Sequence, residues 1–313
     1  MRIAQLLQRR AALPSREATG RRQPLFDDEF QRKLEMLAIV SRRVFAGRVR
    51  AERRSKKRGS GIEFADHREY AAGDDFRFID WNVYQRFGRL LLRLYEEEED
   101  LSIYFIVDCS TSMGFGDGRK FDQARRLCAA LAYVGLVNLD RVTIVGVCDA
   151  VMARMPTTRG KGRIFKVFEF LQNLRPDGTT DLALSLKAFV AQHKRRGLAI
   201  LISDLYDPAG FEGGINMLRF NNFEPYVLQV VEPADAHPVL KGDVRVYDCE
   251  TGEEREVTVT GRVLERIEQS WREYREQVER FCIGRQVPYF AADVNLPFEE
   301  LVLRVFRRGG FLR

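Results

Sequence analysis

Asp108, Ser110 and Ser112 stand at alternate positions where an apolar run ends, in the stretch FIVDCSTSMG. Two further groups of the same chemical kind follow: Gly178-Thr-Thr-Asp181, which opens a helical pattern, and Ser203-Asp204, which ends the run LAILI. The donors are all oxygens, mostly hydroxyls with few carboxylates, and such a set suits a hard divalent cation that keeps several waters. Alternate spacing lets positions 108, 110 and 112 project to one side of a loop around one ion. Low ligand charge would leave that ion electron-poor, so an incoming carboxylate would be a welcome additional ligand. The same residue types also cap helices and end strands, so each cluster alone is a weak signal. Their recurrence on successive strand ends is the stronger one.

Templates for enzymes find few anchors. The chain has no Gly-x4-Gly-Lys-Ser/Thr phosphate loop, so ATP hydrolysis by the chain itself is not expected. Gly114-Phe-Gly116-Asp-Gly118 begins too far beyond the strand and misses the dinucleotide spacing. Histidine occurs only at 67, 193 and 237, without a Gly-x-Ser-x-Gly elbow or a His-Glu-x-x-His pair. The alternative that survives is a divalent-metal-dependent hydrolase of phosphoesters, using Asp108, Asp204 and bound water but lacking an evident base.

The elements that must position these residues are legible from Leu101 onward. Near-continuous apolar runs at 101–107, 141–148, 198–202, 226–231 and 287–291 read as strands buried on both faces. Helical patterns lie between them at about 120–138, 161–174, 181–194, 208–220 and 262–283. A short strand is expected at 151–156, and a β-hairpin insertion at 243–259, turning around Cys249-Glu-Thr-Gly252. This alternation predicts an α/β fold, a doubly wound, mostly parallel sheet with helices on both faces. Ligands of such sheets bind beyond the carboxyl ends of the strands, at the switch point. Ahead of it, residues 1–25 read as a flexible basic lead-in, 26–100 as an N-terminal helix plus a polar, turn-rich segment, and 101–313 as the α/β domain.

Composition fits a soluble globular chain: 45% hydrophobic and 31% charged residues, with no apolar run long enough to span a bilayer. The first twenty residues lack the apolar core of a secretory signal. Five cysteines, at 109, 128, 148, 249 and 282, form no CxxC pair and are odd in number, which argues against a zinc site or disulfide framework and for a reducing cytoplasm. The net charge of +6 is an N-terminal property, concentrated at Arg42 to Arg58. That block could be a solvated face, or a peripheral contact with protein or an anionic membrane. Scarce aromatics and the lack of any recognition-helix, zinc-finger or RNP-type motif argue against nucleic acid.

The strand-end constellation resembles the metal-ion-dependent adhesion site of von Willebrand factor A domains, over about residues 101–310. That resemblance implies hydroxyl ligands from Ser110, Ser112 and Thr180, with Asp108 and Asp204 acting directly or through water. It favours Thr180 over Thr179, because the family places its threonine just before the Asp or Pro that begins the helix. One Mg2+ per chain, or Mn2+ or Ca2+, is the implied cofactor, with a carboxylate of a bound protein as its last ligand. The segment 58–98, RGSGIEFADHREYAAGDDFRFIDWNVYQRFGRLLLRLYEEE, is similar to the signature of a bacterial domain-of-unknown-function family, number fifty-eight. Its matching residues include Arg68, Tyr70, Gly73, Asp74, Asp75, Arg77, Asp80, Trp81 and Arg86. With arginines matching its carboxylates, this block reads as ion-paired turns or a partner surface rather than a catalytic site. The family resemblance further implies a non-enzymatic adaptor that works beside a MoxR-type AAA+ ATPase in assembly or remodelling of a client.

Overall fold

The computed structural model describes residues 25–37, 54–55, 63–98 and 101–308. The lead-in before residue 25 and most of the basic block at 42–58 lie outside the described residues. These fall into two compact units, one between residues 42 and 100 and the other formed by the residues before and after it.

Helix α1, over 28–37, belongs with the larger unit. Asp27 caps it by accepting the Phe30 amide at 2.7 Å. Its apolar positions Phe30, Leu34 and Leu37 are buried, as their helical spacing requires. Phe26 stacks on Phe168 with ring centroids 4.7 Å apart, and Phe30 lies 4.5 Å from Phe298.

The smaller unit is an antiparallel sheet of β1 (Arg54–Ser55), β2 (Glu63–Glu69) and β3 (Leu91–Glu98), in the order β1-β3-β2, with helix α2 (Trp81–Phe87) between β2 and β3. The signature residues shape its turns. Asp74 pairs with Arg68 at 2.6 Å, and Asp75 accepts the Arg77 amide while pairing with its guanidinium at 2.7 Å. Gly73, just before Asp74, supplies a φ of 101°. Asp80 caps α2 through the amides of Asn82 and Val83, and holds Arg93 at 2.8 Å and His67 Nε2 at 3.0 Å. Trp81 leaves 57% of its surface exposed, and its ring meets Tyr84 edge-on.

The larger unit continues as β4 (Ser102–Asp108), α3 (Arg119–Val137), β5 (Arg141–Val147), β6 (Val151–Thr158), α4 (Ile164–Asn173), α5 (Leu182–Gln192), β7 (Leu198–Ser203), α6 (Glu212–Phe220) and β8 (Glu224–Val231). A hairpin of β9 (Gly242–Tyr247) and β10 (Glu254–Val259) follows, then α7 (Gly261–Gly284), β11 (Tyr289–Asp293) and α8 (Phe298–Arg308). Strands β11-β8-β7-β4-β5-β6 form one sheet in that order, all parallel except β6, which pairs antiparallel with β5 at the edge. This is the doubly wound, mostly parallel sheet that the alternation of elements predicts. The expected strand at 151–156 is β6, and the expected insertion at 243–259 is the β9–β10 hairpin.

Every residue of β4 and β7 is buried, which explains why their sequences read as unbroken apolar runs. The chain leaves β4 toward β5 on one side, while β7 flanks β4 on the other, so the switch point lies between β4 and β7. Asp108 ends β4 and Ser203-Asp204 ends β7, on the two sides of that crevice. No helix among the described residues is long and apolar enough to cross a membrane.

Candidate metal centre

The loop after β4 is drawn back over its own strand end. Asp108 Oδ1 accepts the Ser110 amide at 2.8 Å, which tucks both serines beneath the loop, and Ser110 Oγ lies 2.9 Å from Ser112 Oγ. Ser112 Oγ donates to Asp204 Oδ1 at 3.4 Å, and Ser203 donates a short hydrogen bond to Asp108 Oδ2. Asp108, Ser110, Ser112 and Asp204 thus form one buried oxygen network across the switch point. Thr111 anchors the loop to the 176–180 segment, giving both its amide and its hydroxyl to the Gly178 carbonyl.

Thr180 has a different partner. It is buried while Thr179 is exposed, and Asp181 behind it caps α5 through the Leu184 amide at 2.8 Å. The Thr180 hydroxyl donates to Glu250 Oε1 at 2.7 Å and its amide to Glu250 Oε2 at 2.9 Å. Glu250 lies on the turn between β9 and β10.

Charge in this pocket is concentrated and poorly solvated. Burial, reinforced by the neighbouring Asp204 carboxylate, pushes Asp108 up to about 7. Lys120, near the start of α3, reaches in from the other side, with Nζ 2.9 Å from Asp204 and 3.4 Å from Asp235. Burial alone would lower that ammonium, but Asp204 and Asp235 outweigh burial and hold it above its ordinary range. The Tyr206 ring lies 5.2 Å from the ammonium.

The donor set fits a small hard cation. Adjacent ligands of an octahedral Mg2+ bound at its usual distances are separated by about 2.9 Å. The serine hydroxyls sit at that separation, 2.9 Å, and Ser112 and Asp204 at 3.4 Å. Among the described residues no three His, Cys, Asp or Glu side chains converge as they would around a softer or more highly charged site. The hydroxyls make up the set. Within it, the Lys120 ammonium already neutralises Asp204.

The residues anticipated from sequence thus divide in two. Asp108, Ser110, Ser112 and Asp204 share the strand-end network and Thr180 bonds Glu250, whereas Arg68, Asp74, Asp75, Arg77 and Asp80 are engaged in caps and ion pairs of the smaller unit. Sequence reasoning missed Lys120, Asp235 and Glu250. The first follows Arg119 in a pair that reads as solvated, and the last sits in a stretch that reads only as a turn.

The family model described as "Protein of unknown function DUF58" matches residues 66–277. A protein of Mycobacterium bovis, "Uncharacterized protein Mb1516", is 26% identical over 261 residues, covering 81% of this chain and 82% of its own length. Among solved structures, the conserved hypothetical protein BatB from Bacteroides thetaiotaomicron aligns with a TM-score of 0.41 and 13% identity, over 67% of this chain and 99% of that one. The manganese-loaded TRAP protein of Plasmodium vivax aligns at 0.34 and 17%, over 66% of this chain and 72% of its own.

Proposed function

The chain belongs to the DUF58 family of proteins of unknown function, and from that membership and its oxygen-lined switch point we propose that it is a metal-dependent protein-interaction module. The observation that carries the reading is the buried network of Asp108, Ser110, Ser112 and Asp204, hydroxyl-rich and low in charge, at the position where an open α/β sheet receives ligands. The resemblance of the sequence to a metal-ion-dependent adhesion site supports the same reading. Ser110, Ser112 and Thr180 offer hydroxyl oxygens, Asp108 holds the loop by its Ser110 amide bond, and Asp204 closes the far side. A bound Mg2+ or Mn2+ would supply a Lewis-acidic position for a partner's carboxylate. By the same resemblance the partner is a MoxR-type AAA+ ATPase or its client, with the chain acting as a non-enzymatic adaptor.

The histidines favour binding over hydrolysis. His67 pairs with Asp80, His193 with the Phe189 carbonyl, and His237 lies 3.8 Å from Glu268. None of these contacts belongs to the strand-end network, and Lys120 is held protonated, so neither a histidine nor the lysine serves the pocket as a general base.

Calorimetry with Mg2+ and Mn2+ tests the reading. One site per chain is expected in the wild type, lost in Asp108→Ala and in the Ser110→Ala/Ser112→Ala double variant with the fold retained. Equal binding in the variants would overturn it. Asp204-dependent turnover of a phosphoester with Mn2+ would replace it with the hydrolase reading.

A further inference from the structure

Resting on the metal-site reading above, we infer that Glu250 is the chain's own carboxylate ligand for the site, so that the β9–β10 turn is a tethered competitor which a partner must displace. Glu250 meets Thr180 with both oxygens, at 2.7 Å to the hydroxyl and 2.9 Å to the amide, across a sequence separation of 70 residues. A separation of 2.7 Å between the Thr180 and Glu250 oxygens is close to that of two neighbouring ligands on one small cation, about 2.9 Å. The second carboxylate oxygen is anchored by a backbone amide, and the first keeps a lone pair beyond its bond from the Thr180 hydroxyl.

The turn is built to present this side chain. Asp248 Oδ1 accepts the amides of Glu250 at 2.9 Å and Thr251 at 3.0 Å, and Gly252 closes the turn with a φ of 72°. The hairpin is also built to come away. Its apolar contacts form a small cluster of Leu240, Val246, Val259 and Ile267, separate from the main core around Ile106 and Leu201. Elements with few buried apolar contacts open at low free-energy cost. A fixed turn on a weakly docked hairpin places a carboxylate where it can bind in the free protein and yield to a stronger ligand.

The test uses the full chain with Mn2+ as probe. Glu250→Gln and Glu250→Ala should bind Mn2+ at least about tenfold more weakly than wild type. Water-proton relaxation of the Mn2+ complex should rise in Glu250→Ala, because water takes the vacated position. In the wild type, amide exchange over 242–259 should slow when Mn2+ is added, a measurement that needs no variant; circular dichroism checks the fold of each variant. If wild type binds Mn2+ and Asp108→Ala does not, yet the Glu250 variants match wild type in affinity and relaxation and hairpin exchange ignores the metal, the inference on Glu250 is overturned while the metal site stands. If wild type binds no Mn2+, the metal reading falls and this inference with it.

Discussion

Lys120 Nζ lies 2.9 Å from Asp204 Oδ2, and both side chains are almost wholly enclosed. The chain therefore carries a cation of its own at the edge of the pocket that is proposed to take a metal. Breaking a buried pair by removing one partner typically costs about 3–5 kcal/mol, because the remaining charge is left uncompensated. Lys120→Met should accordingly lower the melting temperature in EDTA. It should also raise affinity for Mg2+, since a repelling charge is gone and Asp204 is free. Thermal melts of both proteins across a Mg2+ series check this: the metal-induced shift should be larger in the variant, and equal shifts would show that Lys120 and the metal do not compete.

The two loops of the pocket touch at Gly114 and Pro176. A Cβ on Gly114 would fall 2.4 Å from Pro176 Cγ, against a stiff ring that cannot swing aside. Gly114→Ala should force the 108–114 loop away from the 176–180 segment, at a cost of about 1–3 kcal/mol. Metal affinity should fall although no ligand has changed. Denaturant unfolding and Mn2+ calorimetry on the same variant measure the two effects.

The Thr180 hydroxyl can be separated from the shape of its side chain. Thr180→Val keeps the volume and removes the oxygen, while Thr180→Ser keeps the oxygen. The valine variant should lose Mn2+ binding and release the β9–β10 turn, seen as faster amide exchange at 248–253. The serine variant should restore most of both.

In the smaller unit, Arg93, then His67, hold the Asp80 carboxyl well below the usual carboxylate range, aided by the amides that Asp80 caps. A carboxyl depressed in the folded state stabilises above its unfolded value, about 3.9 for Asp, and that contribution is lost as pH falls through the folded one. Asp80→Asn should therefore lower the melting temperature at pH 7. The gap to wild type should narrow steadily below about pH 4. A gap that stays constant into acid would mean that the charge on Asp80 is not what stabilises this turn.

Much of this architecture is local in origin and was legible in the chain. Strands buried on both faces are apolar along most of their length, so β4, β5, β7 and β8 announced themselves as runs, with Asp108, Ser203 and Asp204 at the ends of β4 and β7. Stripes such as Phe30, Leu34 and Leu37 gave α1, whose burial follows from its period alone. What the sequence left open depends on residues far apart in the chain. Lys120 looks like any basic residue near a helix start until α3 packs on the sheet and brings it 2.9 Å from a carboxylate 84 positions away. Glu250 is a turn residue until the hairpin folds back over Thr180, which is buried beside an exposed Thr179. Helix α2 emerged from a segment that read only as polar turns, because its start is set by the Asp80 cap, itself held by Arg93 from the next strand. Periodicity encodes which face of an element is buried, whereas the pairing of charges inside the pocket is fixed only when the elements meet.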